Sequence, residues 1–221
     1  MSLRYNSISK TMVSIAIIAL LTAGALSGQE ISASEKKEGF RPLYNGKDLS
    51  QWKGDPRLWK VQAGAIVGST DGIQIEHNTF LIHKEPVSNF HLKLQVRLRN
   101  HNSGVQFRSE ELPDFVVKGL QADMAEGNWW GSIYDEKGER GVIVNGWKGR
   151  AERVVKAGDW NDYEILADGE RIEIRVNGLL TAELQDSTRK SGVLALQLHR
   201  GPGMKVEFRN LRIKTLGAKR R

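Results

Sequence analysis

Along the chain, apolar and polar side chains alternate with a period of two far more often than they recur every three or four positions. The clearest run is NFHLKLQVRLR. Phe90, Leu92, Leu94, Val96 and Leu98 fall on one face and His91, Lys93, Gln95, Arg97 and Arg99 on the other, as side chains do along a strand. WNDYEILADGERIEIRVNGLLTAEL carries two turn signals, Asp168-Gly169 and Asn177-Gly178. Both favour type I′ hairpins, whose central residues need positive φ. They bracket ERIEIRV, in which Ile172, Ile174 and Val176 make an apolar face. WKVQAGAIVGS reads as a further hairpin through Ala63-Gly64, and SGVLALQLH and MKVEFRNLRIK supply two more strands. Many short strands with Gly-rich turns and almost no helical periodicity predict an all-β, antiparallel sandwich or barrel. No fixed-period repeat is present, which argues against a propeller or solenoid. Residues 119–150, with seven glycines and Trp129, Trp130 and Trp147, interrupt the meander. They are expected to form long loops on one side of the sheets, a common seat of function.

The beginning of the chain follows a different pattern. MSLRYNSISK has Arg4 and Lys10 and no acid, and TMVSIAIIALLTAGAL is an apolar run of about signal-peptide length. Ala25-Leu26-Ser27 is the first choice of cleavage site and Ser32-Ala33-Ser34 the second. The reading is a signal peptide at 1–28, a polar spacer at 29–38, one domain at 39–216 and a basic tail at 217–221. The apolar run is short for a membrane span. The expected destination is therefore the periplasm or the medium, with no stable membrane insertion. The absence of cysteine excludes a lipid-anchored lipoprotein and any disulfide, so the fold must rest on its core. About 180 residues suffice for one. The formal charge of +7 falls to +5 without Arg4 and Lys10, and to +2 without Lys219, Arg220 and Arg221. The remaining charges are mixed, with none of the one-sided clustering that nucleic-acid binding requires.

The common catalytic signatures are missing: no G-x-S-x-G, no H-E-x-x-H, no phosphate-binding loop and no dinucleotide fingerprint. The five histidines have no zinc-ligand spacing. Strand parity is more informative. In SGVQFRS, Gln106 and Arg108 oppose Val105 and Phe107; in GLQADM, Gln121 and Asp123 oppose Leu120, Ala122 and Met124. In LALQLH, Gln197 and His199 oppose the three leucines. If these strands share a sheet, their polar faces coincide in a patch of Gln, Arg, Asp and His, rimmed by Trp130 and Tyr134. Amides, guanidinium and carboxylate suit sugar hydroxyls, and an aromatic ring suits the apolar face of a sugar. Solvated sheet faces are also polar, but they favour Lys, Glu and Thr over Gln and Asp. Of the adjacent tryptophans, one is expected in the core and the other exposed. Residues 135–140 offer carboxylates to calcium, but the spacing is not that of an EF-hand, so the reading is a solvated acidic loop with no metal and no cofactor.

Several blocks come in an order that resembles the 3-keto-disaccharide hydrolase domain family over residues 39–215. They are GFRPLYNGKDLSQW, WKVQAGAIVGS, TFLIHKEPVSNFHLKLQVRLRNHNSGVQFRS, GLQADMAEGNWWGSIYDEKGERG, GDWNDYEILADGERIEIRVNG and LALQLHRGPGMKVEFRNLRIK. The resemblance implies a concanavalin A-like lectin/glucanase jelly roll and an enzyme cleaving the glycosidic bond of 3-keto-glycosides. A ketone at C3 acidifies the C2 proton, so elimination at C1 followed by hydration amounts to hydrolysis; direct hydrolysis by two carboxylates is the competing route. On that reading Asp123 is the base, Gln121 orients it, Arg108 or His199 holds the oxyanion and Glu136 protonates the leaving group. Gln106, Trp130, Tyr134 and Gln197 bind the oligosaccharide or glycoside. Two positions depart from the family pattern: Gly119 stands where many members carry Glu, and Arg200 where Gly is commoner. A non-catalytic carbohydrate-binding module on the same jelly roll is the alternative. A glucanase acting on ordinary glycosides would carry Glu-x-Asp-x-x-Glu on one strand, and that pattern is absent.

Overall fold

Alternation becomes pleated strand wherever one face can reach a core. The computed structural model of the chain describes residues 31–217, so the expected signal peptide and the end of the basic tail lie outside the described residues. The early strands are β1 (Arg41–Pro42), β2 (Trp52–Lys53), β3 (Trp59–Gln62), β4 (Ala65–Ser69) and β5 (Thr79–His83). The long central ones are β6 (Phe90–Leu98), β7 (Asn102–Leu112), β8 (Val116–Ala125) and β9 (Asn128–Glu136), followed by the short β10 (Gly141–Val144). The chain finishes with β11 (Asn161–Asp168), β12 (Arg171–Val176), β13 (Leu179–Gln185), β14 (Val193–Leu198) and β15 (Lys205–Thr215). Two antiparallel sheets result. One has the order β13-β12-β11-β6-β15-β4-β3 with β1 beside β15; the other has the order β10-β9-β8-β7-β14-β5-β2. This is the expected all-β sandwich. Leu92, Leu94, Val96, Ile165, Ile174 and Phe208 of the first sheet meet Val105, Phe107, Leu120, Ala122 and Leu196 of the second in one buried core.

Turn chemistry accounts for the hairpins, with one shift. Ala63-Gly64 and Asn177-Gly178 both have two positive φ angles, as a type I′ turn requires. The β11–β12 loop is instead Gly169-Glu170, because Asp168 pairs with Arg171. Only Gly169 has positive φ there, the sign pattern of a type II′ turn with glycine first. The spacer also gains structure: Ala33–Glu38 forms a short helix, α1, opened by a Ser32/Glu35 capping box. Glu35 then accepts from Arg212 Nε at 2.7 Å, which ties this helix to the outer face of the first sheet.

Residues 119–150 are not the long loops their glycines suggested. Most of the segment is β8, β9 and β10, and Leu120, Ala122 and Ile133 are fully buried. Its glycines serve tight turns, as at Gly127 and Gly141, where φ is positive. Beyond a register break between Phe107 and Glu110, the β7–β8 hairpin bends over the outer face of its own sheet. Phe80, Ile82, Val117 and Ala195 form a second buried cluster beneath it. Lys53 Nζ holds Glu111 at 2.6 Å, and Phe80 N donates to Phe115 O at 2.9 Å, so the hairpin is clipped to the strands it covers. The rest of that outer face stays open.

Candidate functional site

On the open part of that face, β8, β7 and β14 lie side by side, so the three glutamines predicted to coincide do meet. Ser109 Oγ donates to Gln106 Oε1 at 2.7 Å, and Gln106 Nε2 donates to Gln121 Oε1 at 2.9 Å. Gln121 Nε2 reaches both Asp123 Oδ1, at 3.1 Å, and Gln197 Oε1, at 3.2 Å. Gln197 Nε2 then donates to Glu136 Oε2 at 3.3 Å, and Asn78 Nδ2 to Glu136 Oε1 at 3.2 Å. Each amide is oriented by the next, so a chain of carboxamides runs from one carboxylate to the other. Such a network holds its members in one geometry because each of the three glutamines uses both its oxygen and its nitrogen. Above it is a cavity of about 280 Å³ lined by Asn78, Asn102, Gln121, Asp123, Trp129, Tyr134, Glu136, Val142, Gln197 and His199.

The two carboxylates differ in their surroundings. Asp123 Oδ1 accepts from Gln121, from Asn102 Nδ2 at 3.2 Å and from Met124 N at 3.0 Å. Among the described residues Oδ2 takes no hydrogen bond. Burial pushes the Asp123 carboxyl up to about 7, the charge of Glu136 adds to the rise, and the three donors oppose it. Burial also raises Glu136 above its ordinary range, against the pull of Asn78, Lys137 and Gln197. Tyr134 is raised by burial and by the charges of Glu136, Asp123 and Asp135, which keeps its hydroxyl a proton donor. His199 Nδ1 lies 2.7 Å from the Arg200 carbonyl oxygen, and His101 Nε2 lies 2.9 Å from the same oxygen. That oxygen only accepts, so His199 Nδ1, the nearer of the two nitrogens, carries a proton; the two ring nitrogens are themselves 3.1 Å apart. That tautomer leaves His199 Nε2 an acceptor. Burial lowers the His199 pKa, which favours this neutral form.

Of the residues expected at the site, Asp123, Glu136, His199, Gln121, Tyr134 and Gln197 line the cavity, and Gln106 lies fully buried beneath it as a link in the amide chain. Arg108 and Trp130 do not belong. Arg108 has a φ of 49° at the β7 register break, so the strict alternation that placed it beside Gln106 fails there. Its guanidinium is fully buried elsewhere, donating to Ser88 O at 2.6 Å, Gly169 O at 2.7 Å and Asn89 Oδ1 at 2.9 Å. Trp130 is the core member of the tryptophan pair, packed against Tyr163, and Trp129 is the one at the cavity. The cause is again local. Trp129 and Gly131 have φ of 61° and 72°, and the β8–β9 register shifts between Asp123 and Ala125. Alternation therefore restarts after Gly131, at which a Cβ would sit 2.2 Å from Thr181 Oγ1.

The sequence reading missed Asn78, Asn102, Trp129 and Val142. Asn102 was within reach, since it shares parity with Gln106 two pairs along the same strand. Asn78 precedes β5, where no alternation points to it. The acidic stretch 135–140 is tied internally: Arg140 binds both Asp135, at 3.1 Å, and Asp186. Among the described residues no group of three or more His, Asp or Glu side chains could hold a metal ion. A wider groove of about 760 Å³ lies between α1 and the first sheet, but its Glu35 and Arg212 are bonded to each other.

The sequence profile of the 3-keto-alpha-glucoside-1,2-lyase-like domain matches residues 39–214. A candidate glycosyl hydrolase from Parabacteroides distasonis is similar in structure at 24% identity, with a TM-score of 0.67 over 86% of this chain and 99% of that one. The carbohydrate-binding module CBM66 from Bacillus subtilis aligns at 15% identity with a TM-score of 0.53, covering 80% of this chain and 96% of that one. A β-1,3-1,4-glucanase (lichenase) from a mouse hindgut metagenome aligns at 8% identity with a TM-score of 0.54, covering 80% and 97%. At these identities the likeness is one of fold, the jelly roll that the family resemblance implied. No protein of curated function is significantly similar in sequence.

Proposed function

The chain belongs to the 3-keto-alpha-glucoside-1,2-lyase-like domain family, and we propose that it cleaves 3-keto-glycosides by elimination across C1 and C2 followed by hydration. The carbohydrate-active class follows from the family. The finer reading rests on one observation: two buried carboxylates with raised pKa values share a sugar-sized cavity and are linked by a chain of amides.

In the form of the pair whose one shared proton sits on Glu136, Asp123 Oδ2, the open oxygen, takes the C2 proton, and the electron pair becomes an enolate on the C3 oxygen. Tyr134 donates to that oxygen as its charge grows. The enolate then collapses to a C1–C2 double bond beside the restored ketone, the C1–O bond breaks, and Glu136 gives its proton to the leaving oxygen. Both residues have exchanged protonation states. Water addition resets them: Glu136 takes a proton as the water oxygen joins C1, and Asp123 returns its proton to C2. The sum is hydrolysis with no net redox change. His199 Nε2, an acceptor, takes a hydrogen bond from a ring hydroxyl, and Trp129 supports the apolar sugar face. Arg4, Lys10 and the apolar run behind them support export of this activity from the cytoplasm.

The test is turnover of a 3-keto-glucoside and of its unoxidised parent, by wild type and Asp123→Asn. Cleavage of the keto compound alone, lost in the variant, is the expected result. Cleavage of both compounds would replace elimination with direct hydrolysis. Binding without turnover would leave a carbohydrate-binding module.

A further inference from the structure

The amide chain beneath the cavity has a direction. Ser109, Gln106, Gln121 and Gln197 each pass a hydrogen to the next acceptor, and the last two also hand one to Asp123 and to Glu136. A carboxamide presents oxygen on one side and NH2 on the other, so turning one amide over obliges its neighbours to turn. In the observed direction both carboxylates face nitrogen. In the opposite one Gln121 Oε1 would face Asp123 and Gln197 Oε1 would face Glu136, and each acid would have to hold a proton there. The direction of the chain and the charge of the pair are therefore coupled. Ser109 stands at the head of the chain. Its 2.7 Å contact with Gln106 Oε1 has the length of an O–H···O bond, against 2.9 to 3.3 Å for the amide links. Among the described residues it is the one donor to that oxygen, and both residues are buried. Gly119, with φ of 149°, leaves room for the hydroxyl, since a Cβ there would sit 2.7 Å from Ser109 Oγ.

We propose that Ser109 is a positioning residue: by donating to Gln106 it fixes the direction of the amide chain and so keeps N–H groups on both carboxylates of the reacting pair. It does not line the cavity itself. Without the hydroxyl, Gln106 Oε1 is left bare in the observed direction. In the reversed chain the Gln106 NH2 would instead point towards the Phe107 and Leu120 carbonyl oxygens, which lie 3.1 and 3.4 Å from Ser109 Oγ. Reversal takes the Gln121 and Gln197 N–H groups away from the ionised acids, so the pair holds its protons to higher pH. The other titratable groups facing the pair are Tyr134 and Lys137 at β9, Tyr163 on β11 and His199 after β14. Among the described residues none of them bonds to Ser109 or Gln106, so a change at Ser109 reaches the acids through the amides. This rests on the reading of Asp123 and Glu136 as the working pair given above.

The experiment follows kcat/KM against pH on a 3-keto-glucoside for wild type, Ser109→Ala, Gln106→Met and the double variant. Ser109→Ala should move both limbs of the profile to higher pH by about one pH unit, the weight of one hydrogen bond. Gln106→Met cuts the chain at its second link and should do the same. The double variant should move no further than either single one, because both act through one path. A serine that only packs would lower kcat/KM at every pH and leave both limbs in place, and that result overturns the proposal. Additive movements in the double variant also overturn it, since the serine would then act by another route. If Ser109→Ala does not fold, Ser109→Cys, whose thiol is a weak donor, takes its place with the same expectation. If wild type turns over no 3-keto-glucoside, the elimination reading fails by itself. Carbon-13 NMR titration of the Asp123 and Glu136 carboxyl groups then decides. An upward move in Ser109→Ala, absent on the Gln106→Met background, sustains the role of Ser109, and carboxyl groups that do not move refute it.

Discussion

The Gln121 carboxamide lies directly over Gly104, where an added Cβ would sit 2.4 Å from Gln121 Cδ. Gln121 stands on β8 and Gln197 on β14, with β7 between them. Only a residue without a side chain on β7 lets one amide cross to the other. Gly104→Ala should therefore displace Gln121 and open the chain between Asp123 and Glu136. We expect a loss of about 1–3 kcal/mol in stability from overpacking and a fall of about ten- to a hundredfold in kcat. Thermal melting and turnover at a temperature well below the transition would measure the two separately. An unchanged kcat would mean that the amide chain does not position the acids.

That glycine also shows how far alternation can be trusted. Gln106, Gln121, Asp123, Gln197 and His199 were legible as one polar face because the strands carrying them are regular up to those points. Arg108 and Trp130 were misplaced because each lies beside a bulge with positive φ, and neither bulge announces itself through a turn dipeptide. The fold was legible from the hairpins and from β6, whose alternation is unbroken over nine residues. The strands within 119–150 were hidden by glycines that serve turns and close contacts. Asn78 reaches the site through long-range bonds to Glu136 Oε1 and Arg200 N, which leave no local signal.

Asp123 should be a functional residue that costs stability. Its folded pKa of about 7 lies above the ordinary carboxylate value of 3.8. Between those two values the folded state binds more protons than the unfolded state, so stability falls as pH rises through that window. Asp123→Asn should remove this dependence. It should be more stable than wild type by about 1–3 kcal/mol at pH 8 and close to it near pH 4. Denaturant melts at both pH values test this, and a variant less stable at pH 8 would contradict the burial argument. In wild type, activity needs one proton between Asp123 and Glu136, so kcat/KM should fall above about pH 7 as the pair loses it. It should also fall in acid, where both are protonated.

Arg108 should matter for folding and not for chemistry. Replacing it with Met leaves three acceptors, at Ser88, Asn89 and Gly169, without their charged donor. A cost of about 1–3 kcal/mol is expected from the lost hydrogen bonds, since water can reach the acceptors of Ser88 and Gly169. At a temperature where the variant remains folded, kcat/KM should stay within about threefold of wild type. A large loss of kcat in a demonstrably folded Arg108→Met would return the guanidinium to the mechanism.

Glu136 can be separated from Asp123 by the leaving group. If Glu136 protonates the departing oxygen, its removal hurts most when that oxygen is a poor leaving group and least when it is already acidic. Glu136→Gln keeps one acceptor oxygen, which serves Gln197 Nε2 so that the amide chain survives, and loses the bond from Asn78 Nδ2, which an NH2 would then face. We expect about a hundred- to ten-thousandfold loss on an alkyl 3-keto-glycoside, the range typical of a lost general acid. On a 4-nitrophenyl 3-keto-glycoside, whose phenolate leaves unaided, the loss should shrink to about tenfold or less. Removing the Glu136 charge also removes one of the influences that raise Asp123, so the base should ionise at lower pH in the variant. Equal losses on both substrates would take the acid role from Glu136 and leave Tyr134 as the remaining proton donor among the cavity side chains with raised pKa.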